Sequence, residues 1–235
     1  MIRSIFSYRQ GQPARLPVRV TASLPGELDP GDIRALAEQA KQQSQEDPGS
    51  FLWVKAQDPT PAEWRYLADI FELPPLQVDD AQNPKQRPKL EFDAERGFLI
   101  LKELRYLEET SDVETGQVSV FLGPGFALSI RHGDAAPGSS RARLTRQPNL
   151  LAHGPIGVLY AITDVIVDGY LAVSNELDND VGQVEDLVFQ GGSGDTASVV
   201  YRLKRENLEL RRALAPLVLS ARQVLRGENP HIPGT

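Results

Sequence analysis

Near residue 150 the apolar pattern of this 235-residue chain changes period. From there on, Tyr160, Thr163, Val167, Tyr170, Ser174, Leu177, Val181, Val184 and Val188 stand alternately three and four residues apart, the spacing of a heptad seam. A second seam follows at Val200, Leu203, Asn207, Leu210, Leu214, Leu217, Ala221 and Val224. Between them, Gly191-Gly192-Ser193-Gly194-Asp195 is fit only for a turn, with Asp195 or Thr196 placed to cap the next helix. The spacing predicts an antiparallel pair of helices of roughly 35 and 30 residues, each near 50 Å long at about 1.5 Å per residue. Such a pair overhangs any small sheet it packs on. Asn207, polar at a seam position, is expected to fix register or to mark contact with another surface.

Ahead of residue 150 the pattern is that of strands. Alternating and β-branched runs occur at 2–8, 16–22, 51–56, 89–92, 98–106, 118–122 and 126–131. Asp29-Pro30 opens a helix through Ile33, Leu36, Ala37 and Ala40. Thr60-Pro61-Ala62-Glu63 is a capping box with proline at the first helical position, predicting a helix to about Glu72. Asp93-Ala94-Glu95-Arg96-Gly97 and Gly123-Pro124-Gly125 each lie between two apolar runs, which predicts two antiparallel hairpins. The expected fold class is α/β: a mixed, partly antiparallel sheet flanked by helices, followed by the long antiparallel helical hairpin. The expected domains are 1–150 and 151–235.

Composition narrows the function. With 40% hydrophobic and 24% charged residues the chain can bury a full core and has the balance of an ordinary soluble protein. The lack of cysteine removes disulfides, thiolate metal sites and cysteine nucleophiles together, as suits a reducing cytosol. Met1-Ile2-Arg3-Ser4-Ile5-Phe6 lacks the apolar stretch of a signal peptide and reads as a first strand. A formal charge of −7 argues against nucleic acid, whose phosphates require clustered Lys and Arg, and makes cations the natural partners. Charge is also segregated. No Lys or Arg occurs between Arg146 and Arg202, an interval that holds Asp164, Asp168, Glu176, Asp178, Asp180, Glu185, Asp186 and Asp195. The second predicted helix carries Arg202, Lys204, Arg205, Arg211, Arg212, Arg222 and Arg226. Like charges at i,i+4, such as Asp164 with Asp168, cost a few tenths of a kcal/mol each. Either the basic helix or bound cations should offset them, so Asp164 and Asp168 are weak candidates for metal contact.

Asp79 and Asp80 form the more specific acidic feature. Adjacent side chains on a helix point about 100° apart, so the pair cannot chelate one ion alone. A group from elsewhere must complete any site, or else the pair shapes its turn by bridging Lys85, Arg87 or Lys89. The histidines, His132, His153 and His231, sit singly without zinc-site spacing. Gly123-Pro124-Gly125 lacks the donors of a phosphate loop, and Ser139-Ser140 lacks the context of a nucleophile elbow. No catalytic residue is expected, and Trp53 and Trp64 read as core anchors.

Segment 73–102 also carries a likeness. Its apolar Pro-Leu stretch, the Asp79-Asp80 pair, the Gln86-Arg87-Pro88-Lys89 turn and the strand-turn-strand that follows resemble, in that order, the cytoplasmic domain of CorA-family divalent-cation transporters. Phe51-Leu52-Trp53-Val54, Phe121-Leu122-Gly123, residues 127–131 and the helical C-terminal part extend the resemblance over most of the chain. The Gly-Met-Asn of that family's membrane part does not follow, and no apolar run of the roughly 20 residues needed to span a bilayer is expected. The resemblance thus implies a soluble piece on the cytoplasmic face of the inner (plasma) membrane, joined to it by segments absent from this chain. It implies a homo-oligomer, pentameric in the full-length protein, that gates ion passage in response to intracellular cation. Mg²⁺ is the implied ion, both regulatory and transported, with Co²⁺ or Zn²⁺ open because a ZntB-like branch shares the plan. Asp79 and Asp80 are implied as half of a regulatory divalent site completed by a neighbouring subunit's stalk helix. The alternative is a free-standing cytosolic metal-binding or scaffold protein that dimerises through its hairpin; a metal-dependent enzyme is a distant third.

Overall fold

The computed structural model describes residues 2–16, 29–134, 138–189 and 196–226. Seven strands form one sheet: β1 (Ile2–Arg9), β2 (Gln12–Ala14), β3 (Phe51–Gln57), β4 (Lys89–Phe92), β5 (Gly97–Leu107), β6 (Asp112–Gly123) and β7 (Phe126–His132). Their order across the sheet is β2-β1-β3-β7-β6-β5-β4. The β3–β7 pair is parallel and every other pair antiparallel, so the sheet is mixed, as the strand pattern predicts. Both predicted hairpins form, at 93–97 and 123–125. Gly125, at φ +74°, closes the second where a Cβ would lie 2.6 Å from the backbone of Ala40, which fixes glycine there. The strand expected at 16–22 falls, beyond Leu16, outside the described residues.

Helices cover both faces, and β3 shows why. Phe51 and Trp53 point into one apolar cluster, Leu52 and Val54 into the other, and all four are buried, the mark of a central strand covered on both sides. On one face lie α1 (Pro30–Glu46), α2 (Pro61–Ile70) and α3 (Pro75–Gln82). The capping box at α2 is complete in both directions, with Thr60 accepting from the Glu63 amide and Glu63 from the Thr60 amide. On the other face lie α4 (Ser140–Arg146), a 3₁₀ turn at Pro148–His153 and the two long helices, α5 (Pro155–Phe189) and α6 (Thr196–Leu225). The long pair has the predicted lengths, 35 and 30 residues. One apolar cluster runs from Tyr8 and Trp53 through Tyr170 to Ala213, so residue 150 marks a change of element type within a shared core.

The heptad reading is half right, in the same way on both helices. Tyr170, Leu177 and Val184 are buried on α5, as are Leu203 and Leu210 on α6. The other heptad set is not: Tyr160 is 51% exposed, Val167 and Val181 44%, Val188 56%, Val200 48% and Leu214 37%. Asn207 is exposed and holds no seam position. Ile166 and Val173 on α5, and Glu206 and Ala213 on α6, take those places, each three rather than four residues after a seam partner. The helices pack on the sheet as well as on each other, which widens the buried stripe and turns it toward the strands.

The α5 helix is also long and apolar enough, by length and composition, to cross a membrane, with an 18-residue window of mean hydropathy 1.7. That departs from the expectation of no such run. More than half of that window, 56%, is buried inside the fold, which makes α5 a core helix here.

Candidate functional site

The α3 helix that carries the acid pair is short and weakly anchored from within. Proline at its start leaves it without a side-chain cap, and Ala81 is its one fully buried residue. The following turn supplies the anchoring. Asn83 Oδ1 accepts from the Lys85 amide at 3.0 Å, and the Lys102 ε-amine, reaching from β5, donates to the Pro84 carbonyl at 2.7 Å and to Gln117 Oε1 at 2.7 Å. Gln117 returns a bond from Nε2 to the Ala81 carbonyl at 3.2 Å. Two buried or half-buried side chains of the sheet thus hold the end of α3 and the start of its connection to β4.

Within this frame the two acids differ. Asp80 is half-buried, accepts a hydrogen bond from Gln86 Nε2, and lies 2.6 Å from the Lys89 ε-amine. Lys89 also reaches Glu91 at 2.7 Å and sits 5.1 Å from the centroid of Phe98; Glu91 in turn accepts from Gln77 at 3.2 Å. Burial alone would lower the Lys89 pKa, but the bonds to Asp80 and Glu91 outweigh it and hold the amine above its ordinary value. Asp79 is exposed. Of the three cations the sequence offers as bridging partners, Lys89 is the one the fold uses. Among the described residues no group of three His, Asp or Glu side chains could hold a metal ion, so one copy of the chain offers two carboxylates, one already paired.

Asp164 and Asp168 lie elsewhere. They are on α5, across the sheet from α3, so the fold does not bring the two acid pairs together. Within the chain, their mutual repulsion is offset from α4 rather than from the basic helix. Arg143 of α4 reaches both, at 2.7 Å from Asp164 and in a short hydrogen bond to Asp168. Sequence reading missed this because α4 itself, seven residues long, carries too little periodicity to register. Further along α5, Asp180 accepts from the Tyr106 hydroxyl at 2.7 Å. His132 stacks on Trp64 and lies 3.3 Å from Asp58; His231 falls outside the described residues. Trp53 donates to Ser129 Oγ at 3.0 Å as a buried anchor.

A second charged feature went unread in the sequence. Glu103 of β5 is fully buried and pairs at 2.9 Å with Arg131 of β7, two strands away. The register puts Gly116 of β6 opposite Glu103, so no side chain there stands between the partners. Burial raises the Glu103 carboxyl, against the pull of Arg131 and Lys55.

Residues 48–233 match the family described as CorA-like Mg²⁺ transporter protein. A putative metal ion transporter of Bacillus subtilis, YfjQ, is 30% identical over 171 residues, 72% of this chain and 52% of the relative. The cobalt/magnesium transport protein CorA of Thermotoga maritima is 29% identical over 154 residues, 64% of this chain and 44% of the relative. The chain spans about half the length of these curated relatives. Among solved structures, the soluble domain of CorA from Methanocaldococcus jannaschii aligns with a TM-score of 0.60 at 16% identity, covering 91% of this chain and 76% of that one. The ZntB cytoplasmic domain from Vibrio parahaemolyticus aligns at 0.56 and 14% identity, covering 77% and 74%. At such identities the likeness establishes the fold: a mixed sheet, flanking helices and a long helical hairpin.

Proposed function

The chain belongs to the family of CorA-like Mg²⁺ transporter proteins, and we propose that it is the part of such a transporter that stands on the cytoplasmic side, assembles with further copies, and reports internal divalent-ion level to the pore. The cargo is Mg²⁺ or a related divalent ion, Co²⁺ or Zn²⁺, and the assembly is a pentameric ring. The chain is not an enzyme. The observation that carries this reading is the unequal acid pair on α3. Asp79 is exposed beside an Asp80 that Lys89 and Gln86 hold in place. Mg²⁺ keeps most of its water and usually takes one or two carboxylates from a protein, so such a pair suits half of a weak site closed by another copy.

The role of each acid follows from its surroundings. Asp80 fixes the position of the pair, because its carboxylate is already tied to the β4 strand. Asp79 presents charge outward. Bridging between copies favours the closed arrangement by the difference in ion affinity between closed and open forms, and loss of the ion lets the copies part. Exposed apolar side chains on α5, Val167, Leu171 and Val181 among them, support assembly through the hairpin. The same side chains favour the second reading, a scaffold that dimerises through α5 and α6 without transporting anything.

Reconstitution of the full-length protein into liposomes separates the two. Saturable Mg²⁺ or Co²⁺ uptake that falls as Mg²⁺ on the domain's side rises into the millimolar range is the expected result. A folded, membrane-inserted protein with no divalent flux would overturn the transporter reading, and a full-length protein that stays in solution as a dimer would favour the scaffold.

A further inference from the structure

Between the 84–88 turn that follows α3, strand β5 and helix α6 lies a cleft of about 630 Å³. That volume falls within the range of roughly 300–1,000 Å³ usual for small-molecule sites. Its lining is strongly cationic for a chain of net charge −7: Lys85 and Arg87 from the turn, Lys102 from β5, and Arg211 and Arg212 from α6, against one carboxylate, Glu209. Arg212 pairs with Glu209 at 2.7 Å. Among the described residues no carboxylate makes an ion pair with Lys85, Arg87, Lys102 or Arg211, which leaves an excess of four positive charges around one hollow.

Lys102 is the informative member. Two of its three ammonium hydrogens are committed, to the Pro84 carbonyl and to Gln117 Oε1, both at 2.7 Å, and neither acceptor carries a charge. The amine is half-buried, and desolvation pushes its pKa down while Glu209 pulls it back. Apart from Gln86 and Thr115, the rest of the wall is apolar. Pro84, Pro88 and Pro216 bracket the cleft, and Leu208 and Ala213 give it a non-polar side.

We propose that this cleft binds a small polyphosphate of the nucleoside di- or triphosphate class. Several negative charges on one compact ligand match cations converging from three separate elements, whereas a single carboxylate would engage one or two of them. Guanidinium groups such as Arg87 and Arg211 bond phosphate oxygens in pairs, with charge-assisted bonds about twice as strong as neutral ones. The apolar side suits a ring. A nucleic acid fits poorly, because the chain as a whole carries a net charge of −7. A bound ligand would join the turn after Asp80 to α6, coupling the acid-pair region to the hairpin.

Isothermal titration of the chain with ATP in excess EDTA tests this directly. The expected result is saturable one-to-one binding that weakens with salt. Arg87 and Arg211 are exposed and, among the described residues, make no ion pair, so Arg87→Ala/Arg211→Ala should fold normally and lose about tenfold or more in affinity. The control pair Arg9→Ala/Arg146→Ala, exposed residues outside the cleft, should leave affinity unchanged. Inorganic triphosphate should bind more weakly than ATP. Absence of saturable heat, or equal losses in both double variants, overturns the proposal. So does flotation with vesicles bearing a phosphorylated inositol lipid that is lost in the cleft variant while ATP does not bind, since that assigns the cleft to a membrane headgroup.

Discussion

The Lys89 ε-amine lies 2.6 Å from Asp80 and 2.7 Å from Glu91, so the more buried acid of the α3 pair is neutralised from β4 while, among the described residues, its neighbour Asp79 makes no ion pair. Any ion drawn to the pair competes with Lys89 for Asp80. Replacing Lys89 with Met therefore frees Asp80 at little cost in volume. Mg²⁺ affinity should rise by about fivefold, the equivalent of roughly 1 kcal/mol for a partly exposed ion pair. Titration calorimetry on the single variant measures it; unchanged or weaker binding would place the ion away from Asp80.

The buried pair Glu103–Arg131 predicts an asymmetry. Replacing Glu103 with Leu strands a guanidinium that is only 17% exposed, and should cost about 3–5 kcal/mol. Glu103→Leu/Arg131→Met should be close to neutral, because the lost attraction and the lost desolvation largely cancel. Denaturant midpoints for the single and double variants check this. A double variant as unstable as the single would mean the pair organises the sheet through more than its charges.

Helix α6 offers a matched comparison. Leu210 is 9% exposed and Leu214 37%. Leu210→Ala should cost about 2–4 kcal/mol and Leu214→Ala about 1 kcal/mol or less. Equal losses would restore the four-residue seam that the structure replaces.

Acid sensitivity has an identifiable contributor. Asp47 accepts from Ser50 Oγ at 2.6 Å, from the Gln10 amide at 2.9 Å and from the Gly49 amide at 3.2 Å, and the Ser50 bond in particular lowers its pKa. A carboxylate depressed in the folded state contributes stability at pH values above its unfolded pKa of about 4, and that contribution fades as pH falls through the folded value. The melting temperature of the parent chain should accordingly fall more steeply than that of Asp47→Asn between about pH 5 and pH 3. Parallel curves would place the acid sensitivity in other groups.

How much of this was legible depended on how local each signal was. The α2 capping box is written in four consecutive residues, Thr60 to Glu63, and forms as read. One heptad set on each long helix, carried by Leu177 and Leu210, is likewise set by the helix's own pattern. The second set was not, because the side on which the stripe turns depends on the sheet, and sheet packing is not encoded in helical spacing. Arg143, Lys89 and Glu103 show the same limit for charge. Lys89 stood close enough in sequence to be named beside Asp80, whereas Arg143 meets Asp168 across 25 residues and Arg131 meets Glu103 across 28, through a register that only the paired strands define. The acid pair itself was visible, but its inequality was not, since it rests on which side chain the β4 strand turns toward α3.

Replacing both α3 acids with Asn keeps volume and removes charge, and its effect on the full-length protein bears most directly on the sensor reading. Ion uptake by full-length protein in liposomes, measured against Mg²⁺ on the side of this domain, is the decisive quantity. The account predicts that Asp79→Asn/Asp80→Asn leaves the chain folded and the flux open, while uptake no longer falls as that Mg²⁺ rises into the millimolar range. Inhibition by Mg²⁺ that is unchanged in the double variant, alongside a lowered melting temperature of the isolated chain, would contradict it and reduce Asp80 to a partner of Lys89 that shapes a turn.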